Sequence, residues 1–189
     1  MTELFILTGL IVVNGLFALA EITLVSARKT RLELLSKNGS KKAKAALHLS
    51  ENPEIFLSSV QIGITLISIF TGLYSGEKFS KDLTPILEQF SLIREYAQPL
   101  STTIIVIGVT LVSIILGELI PKRLGLIHSE KIAVALAVPM LYFSRIVHPI
   151  VWFLNKSTNL FFKIFRIKHA PDNQVTEEEI KAIISEGTE

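Results

Sequence analysis

The sequence has no cysteine, and this absence excludes three kinds of chemistry. Without a thiol there is no disulfide framework, no thiol-based catalysis and no zinc site built on cysteine. Charged residues are also scarce, at 19% of the chain, whereas they make up about a quarter of a soluble domain. The net charge is only +2, which gives no support for a nucleic-acid partner. The sequence also lacks a phosphate-binding glycine loop and a supported nucleophile arrangement, so we do not expect an enzyme.

What the sequence has in abundance is apolar residues gathered in blocks. Hydrophobic residues make up 49% of the chain, and its mean hydropathy is +0.50. Long apolar blocks are typical of segments that cross a bilayer. The composition therefore predicts an integral membrane protein.

Three of these blocks are long enough to cross a bilayer as helices. They predict helices over about 4–27, 55–76 and 99–120, against a hydrocarbon core of about 30 Å. No lysine or arginine precedes the first block, whereas a basic stretch follows it. The positive-inside rule then predicts an outside N-terminus and a cytoplasmic C-terminus in a multi-pass protein of the cell (plasma or inner) membrane.

Two further regions, about 29–50 and 130–165, predict helices that lie along the cytoplasmic face. The first is basic and amphipathic, which favours contact with lipid headgroups. In the second, which contains Pro139 and Pro149, we favour a broken pair of half-buried helices; a fourth spanning helix or a re-entrant hairpin is the alternative. Arg145 in this region is expected to face lipid phosphates or the cytoplasmic surface. The predicted fold class is thus an all-α membrane protein with three transmembrane helices and a belt of cytoplasmic juxtamembrane helices.

The domain organisation follows from a change of composition near the end of the chain. Residues 1–168 are expected to form a transmembrane ion-transport domain, and residues 169–189 are polar. Thr176 and Glu179 have the spacing of a capping box, which predicts the start of a short amphipathic helix. We therefore expect residues 169–189 to begin a linker to a cytoplasmic domain.

The stretch from Gly117 to Arg123 ends the third apolar block with a carboxylate, a helix breaker and two cations. Pro121 has no N–H, so it cannot donate to the carbonyl of Gly117 four residues earlier. This leaves a backbone oxygen beside the carboxylate of Glu118, just inside a boundary marked by Lys122. Hard cations bind oxygens of these two kinds. The stretch therefore predicts a divalent-cation site.

Other polar side chains reach a similar depth. The helix rise puts Glu21 about 10 Å and Glu118 about 6 Å below the boundary, with Gln61 and Thr65 about 9 and 15 Å deep. A carboxylate inside a membrane is costly and indicates function by default. The structural alternatives are that Glu21 pairs with Arg28 or Lys122, or that Glu118 pairs with a following cation.

Small and polar residues recur on one face of each block, as transmembrane helices use them to pack closely. For Ser68, Gly72, Thr110 and Ser113 this packing role is the favoured interpretation. The faces comprise Asn14, Ala18 and Glu21; Ser58, Gln61, Thr65, Ser68 and Gly72; and Thr110, Ser113, Gly117 and Pro121.

Three motifs resemble the transmembrane domain of the CorC/CNNM (cyclin M-like) magnesium transporters. They are LFALAEITLV over 16–25, QIGIT over 61–65 and GELIPK over 117–122, and the likeness covers nearly the whole chain. The resemblance implies three spanning helices, a juxtamembrane belt and a homodimer. It also implies a cytoplasmic pair of CBS domains after residue 189. The implied function is magnesium efflux with sodium as the expected coupling ion; the alternative is a membrane-anchored ion sensor or regulator without net transport.

The resemblance also implies a set of site residues. The implied metal ligands are Ser58 or Ser59, Thr65, Gly117 and Glu118, with Glu21 close by. The implied pathway and supporting residues are Gln61, Gly63, Ser68, Ser113, Pro121 and Lys122. This chain departs from the family pattern at Ala20, where many members have serine, and at Ile64 and Thr65, where many have asparagines.

Overall fold

The structure is a computed structural model that describes residues 1–165, and every regular element among them is helical. The predicted all-α class is therefore confirmed, while the predicted linker at 169–189 lies outside the described residues. The elements in chain order are α1 (Thr2–Ser26), α2 (Lys29–Lys37), α3 (Lys41–Glu51), α4 (Pro53–Leu87), a 3-10 turn (Arg94–Tyr96), α5 (Ala97–Ile114), a π-helical segment (Ile115–Leu119), α6 (Ile120–Ile127) and α7 (Ser129–Ile164).

Four helical stretches within residues 1–165 are long and apolar enough to cross a membrane. They are Thr2–Ser26, Pro53–Leu87, Arg94–Ile127 and Ser129–Ile164. The chain is therefore a multi-pass membrane protein. The first three stretches contain the three predicted spanning segments, and the fourth is α7. The count of three crossings with a juxtamembrane belt stays a prediction.

α7 is one helix, so the predicted break of this region into two helices is wrong. Pro139 and Pro149 lie inside α7 and are both exposed, so their rings do not disturb the packed side of the helix. The buried residues of α7 follow one another at steps of three or four, so they share one face of the helix. These residues are Ala133, Ala137, Met140, Ser144, Val147 and Val151.

α4 is longer than predicted and includes charged residues that we assigned to a loop. The helix continues to Leu87 instead of ending near residue 76, and α5 begins at Ala97. Small residues hold the two helices together: the hydroxyl oxygens of Thr84 and Ser101 lie 2.6 Å apart, and Ser101 is fully buried. Tertiary packing against α5 therefore extends α4 beyond its apolar block.

The basic region forms two helices and not one continuous helix. α2 and α3 are separated at Gly39, whose φ of +89° is a conformation that favours glycine. Ser40 then caps α3, because its hydroxyl accepts a hydrogen bond from the N–H of Ala43 at 3.2 Å. The predicted single helix over 29–50 is therefore corrected to a helix, a turn and a helix.

A core shared by α1, α4 and α7 sits beside Gly63. The rings of Phe17 and Phe143 meet edge to face with centroids 4.6 Å apart. A Cβ on Gly63 would lie 3.0 Å from the Phe17 ring and 3.1 Å from the Phe143 ring. Gly63, predicted as a supporting residue, thus leaves room for two aromatic side chains.

Candidate functional site

The third spanning stretch changes its helical geometry at the predicted cation site. It is α-helical to Ile114 and becomes π-helical over Ile115–Leu119. In the π-helical segment the N–H of Ile120 donates to the carbonyl of Ile115, five residues earlier. Pro121 follows at once and has no N–H for the carbonyl of Gly117. Single π-helical turns inside α-helices are frequent at functional sites, so we take this segment as the candidate site.

The carbonyl of Gly117 receives a hydrogen bond from a different helix. Nδ2 of Asn14 in α1 donates to this oxygen at 3.1 Å, and Asn14 is only 3% exposed. A carbonyl oxygen has two lone pairs, and this bond uses one of them. Oδ1 of Asn14 is buried and has no hydrogen-bond partner among the described residues. The predicted loss of the helical bond at Gly117 is thus offset by α1.

Two glycines let α1 and the π-helical segment approach each other at this point. A Cβ on Gly117 would lie 3.1 Å from Nδ2 of Asn14 and 3.2 Å from the carbonyl oxygen of Ile11. A Cβ on Gly15 would lie 3.2 Å from Cγ of Pro121. These distances are shorter than ordinary van der Waals contacts, so the approach depends on glycine at both positions.

The two predicted carboxylates converge on one ammonium group. Lys122 donates to Oε1 of Glu118 at 3.0 Å, with the i, i+4 spacing of helical neighbours. Its Nζ also lies 3.1 Å from Oε2 of Glu21, which comes from α1. Between a quarter and about a third of each of the three side chains is exposed. We call Glu21, Glu118 and Lys122 the Lys122 cluster.

The Lys122 cluster is the structural alternative that the sequence offered for both acids, and the shared cation site stays a prediction. Oε2 of Glu21 is buried and has no aligned hydrogen-bond donor among residues 1–165, so its contact with Lys122 is an ion pair alone. Charges that are partly removed from water interact more strongly than surface pairs. With two carboxylates and one ammonium, the cluster carries a net charge of −1 when all three groups are ionised.

Among residues 1–165, no group of three or more His, Asp or Glu side chains could hold a metal ion together. A hard cation at the Lys122 cluster would therefore combine the two carboxylates with neutral oxygens, such as the carbonyl of Gly117, and with water.

The predicted ligands on α4 lie in other surroundings. Ser59 is buried, where it donates to the carbonyl of Ile55 at 2.7 Å and its Oγ lies 3.0 Å from Oγ of Ser144 in α7. Because the proton of Ser59 is used at Ile55, Ser144 is the donor between the two hydroxyls. Ser58 is half-buried beside it.

Three polar side chains of α4 form an exposed face in the single chain. Gln61, Thr65 and Ser68 are all exposed and follow one another at steps of four and three residues. Ser113 of α5, another predicted supporting residue, is buried at 7% exposure. The structure therefore joins Glu21 with Glu118 and leaves Thr65 on an exposed face of α4.

Asn14 is the site residue that the predicted set did not include. The sequence carried a signal for it, because an amide side chain in an apolar block shares a helix face with Glu21. Its partner, the carbonyl of Gly117, is 103 residues away in the chain. No helical spacing predicts a contact over that separation.

Comparisons with known proteins agree with the family resemblance. The profile of the cyclin M transmembrane N-terminal domain (CNNM) matches residues 5–189. The UPF0053 protein sll0260 of Synechocystis is 43% identical over 99% of this chain. The polyamine export proteins of Haemophilus influenzae and Escherichia coli are 31% and 30% identical over 97% and 99% of the chain. The chain spans 42% of the length of each of these three relatives. The chain therefore belongs to the CNNM family, as a cyclin M transmembrane N-terminal domain.

Proposed function

We propose that this chain is the membrane part of a cation exporter, without enzymatic activity, and that its cargo binds Glu21 and Glu118 in place of the ammonium of Lys122. One observation carries this proposal: carboxylates from two different helices meet at a single cation within apolar segments. Acids at such positions are costly and usually mark an ion pathway. The names of two relatives, the polyamine export proteins, support the same direction of transport.

Lys122 gives the site a counter-ion between transport events. Its ammonium neutralises one of the two carboxylates, which lowers the cost of keeping both acids in the membrane. A cation that enters must displace this ammonium, and the ammonium can return when the cation leaves. Lys122 thereby couples release of the cargo to restoration of the ion pairs.

Magnesium is the first cargo that we propose, with sodium as the coupling ion, on the basis of the family resemblance. The two carboxylates and the Gly117 carbonyl would supply oxygens, and water would complete the six positions that Mg²⁺ prefers. The predicted α4 ligands would join in another state of the transport cycle. These residues are Ser58, Ser59 and Thr65.

A polyamine is the second candidate cargo, and one contact favours it. The cluster already holds a primary ammonium between two carboxylates at 3.0 and 3.1 Å. A polyamine presents the same chemical group, so it could take the position of Nζ of Lys122 without a new set of ligands. The relatives from H. influenzae and E. coli are named polyamine export proteins.

The proposal also covers the membrane topology and the assembly of the protein. We propose an outside N-terminus and a cytoplasmic C-terminus in the cell (plasma or inner) membrane, because the basic region follows the first span. A homodimer, and CBS domains beyond residue 189, are proposed from the family resemblance alone.

The test is flux in vesicles that contain the purified full-length protein. Vesicles are loaded with Mg²⁺ or with radiolabelled spermidine, with and without a sodium gradient. We expect Glu118→Gln to reduce flux of the true cargo by about tenfold or more, equivalent to about 1.4 kcal/mol or more of lost cation stabilisation. Glu33→Gln, which removes an exposed carboxylate in α2, should keep the wild-type rate.

Each outcome has one meaning. Flux of Mg²⁺ that depends on Glu118 supports the first cargo, and flux of spermidine alone supports the second. Wild-type flux no greater than that of Glu118→Gln for either cargo removes the exporter proposal. Ion-dependent stabilisation without flux would favour the alternative, an ion sensor that regulates a cytoplasmic domain.

A further inference from the structure

A cavity of about 470 Å³ lies between α3, the start of α4 and α7, and it contains no residue of the Lys122 cluster. Its polar rim carries Arg145 and two histidines, His48 and His148, together with Asn52. Nδ2 of Asn52 donates to the carbonyl of His48 at 3.0 Å, which fixes the rim where α3 meets α4. The cavity is therefore a defined pocket with a basic rim.

Within residues 1–165, no ion pair neutralises the arginine of this rim. Arg145 is exposed and forms no ion pair with the acidic side chains of residues 1–165. Glu51 and Glu54 are close in sequence to the rim, but neither lines the cavity. Guanidinium groups bind phosphate oxygens in a planar, bidentate geometry, and imidazoles add further N–H donors. The rim thus fits a phosphate group.

The floor of the same cavity is apolar. Leu49 and Phe56 are buried at 4% and 2% exposure, and Leu141 is half-buried beside them. A soluble phosphate would gain nothing from these side chains, whereas the glycerol and first methylenes of a lipid would cover apolar surface. The combination of a basic rim with an apolar floor favours an amphiphile over a free anion.

The position of the cavity places it within reach of a bilayer surface. It lies at the start of α4, one of the four stretches able to cross a membrane. Basic pockets next to membrane helices attract anionic headgroups.

We propose that this cavity binds the phosphate headgroup of an anionic phospholipid. Arg145 and the histidines contact the phosphate oxygens, and Leu49, Phe56 and Leu141 contact the glycerol and upper acyl chain. The proposal does not depend on which cargo the Lys122 cluster carries. It assigns to α3 and α7 a lipid-binding role separate from transport chemistry.

The test measures thermal unfolding of the purified full-length protein in detergent after addition of phosphatidylglycerol, phosphatidylcholine or inorganic phosphate. Phosphatidylglycerol alone should raise the unfolding temperature of the wild type. Arg145→Gln should lose most of this shift, and Arg145→Lys should retain part of it. Lys41→Gln is the matched control, because it removes an exposed positive charge of α3 outside the cavity and should keep the shift.

Three results would overturn the proposal. The first is an equal shift in Arg145→Gln and Lys41→Gln, and the second is an equal shift with phosphatidylcholine. The third is an Arg145-dependent shift with inorganic phosphate alone, which would assign the cavity to a soluble phosphate compound. If Arg145→Gln does not fold, native mass spectrometry of His148→Gln decides: unchanged retention of phosphatidylglycerol counts against the proposal, and reduced retention supports it.

Discussion

Asn14 joins α1 to the π-helical segment of the third spanning stretch by a hydrogen bond. Its amide donates to the carbonyl of Gly117, to which Pro121, four residues later, cannot donate. A buried carbonyl without a donor costs about 1–3 kcal/mol, although hydrogen bonds between membrane helices average nearer 0.6 kcal/mol. Asn14 therefore stabilises the helix packing in which Glu118 and Glu21 both contact Lys122.

Replacing Asn14 by leucine tests this role. Asn14→Leu keeps the number and branching of the side-chain heavy atoms but removes the donor to Gly117, so we expect a loss of about 0.6–3 kcal/mol in stability. Thermal unfolding in detergent would measure it. Thr103→Val is the control, since the Thr103 hydroxyl donates to the carbonyl of Pro99 in its own exposed helix turn. Equal effects of the two variants would contradict a special role for Asn14.

At the scale of residues, local spacing predicted part of the site. The i, i+4 separation of Glu118 and Lys122 and the missing N–H of Pro121 follow from one helix, and both were available from the sequence. The contact of Glu21 with Lys122 was only one of several alternatives, because it depends on the register of α1 against another helix. This register depends on tertiary packing, so it cannot be predicted from the periodicity of either helix alone.

α1 and the third spanning stretch pack closely along several turns, and glycine makes this possible. Gly125 of α6 continues the contact that Gly15 and Gly117 begin. A Cβ at Gly125 would lie 2.5 Å from Cγ2 of Ile22 and 2.9 Å from Cγ2 of Thr23. β-branched side chains are restricted in χ1, so these methyl groups cannot simply rotate away. Close packing of small residues is the usual means by which membrane helices associate.

Gly125→Ala tests the packing contact between α1 and α6. The added methyl group must separate α6 from α1, which should cost about 1–3 kcal/mol, the usual range for overpacking. Gly108→Ala in α5 is the matched control, because no atom lies within 4 Å of a Cβ at that position. Thermal unfolding of both variants gives the comparison. A stability of Gly125→Ala equal to that of Gly108→Ala would show that the two helices separate freely.

At the scale of elements, the helices were predicted correctly from the sequence, but the predicted end of α4 and the predicted break in α7 were wrong. α4 continues past its apolar block because Thr84 and Gly76 pack against α5, and α7 continues past Pro139 because the proline lies on its exposed side. Local rules assign a break to proline and a loop to charge. Packing between helices overrides both rules, and its partners were not identifiable from local patterns.

For the whole molecule, the number of crossings decides which regions share a side of the membrane. α7 has the length and composition to cross, yet basic residues flank it on both sides. Positively charged flanks favour the cytoplasm, so a single crossing would place one of them outside. This conflict is the reason for keeping three crossings, with α7 along the cytoplasmic face, in the proposed topology.

The absence of cysteine makes this topology directly testable, because one introduced thiol is the only one in the 189-residue chain. Asn38→Cys, Gln89→Cys and Asn173→Cys would each be treated with a membrane-impermeant maleimide in intact cells and again after permeabilisation. Three crossings with an outside N-terminus predict labelling of Gln89→Cys in intact cells and of the other two only after permeabilisation. Labelling of Asn173→Cys from outside would instead make α7 a fourth crossing. The chain after residue 165 would then leave the cytoplasm, and a cytoplasmic CBS pair could not follow it directly.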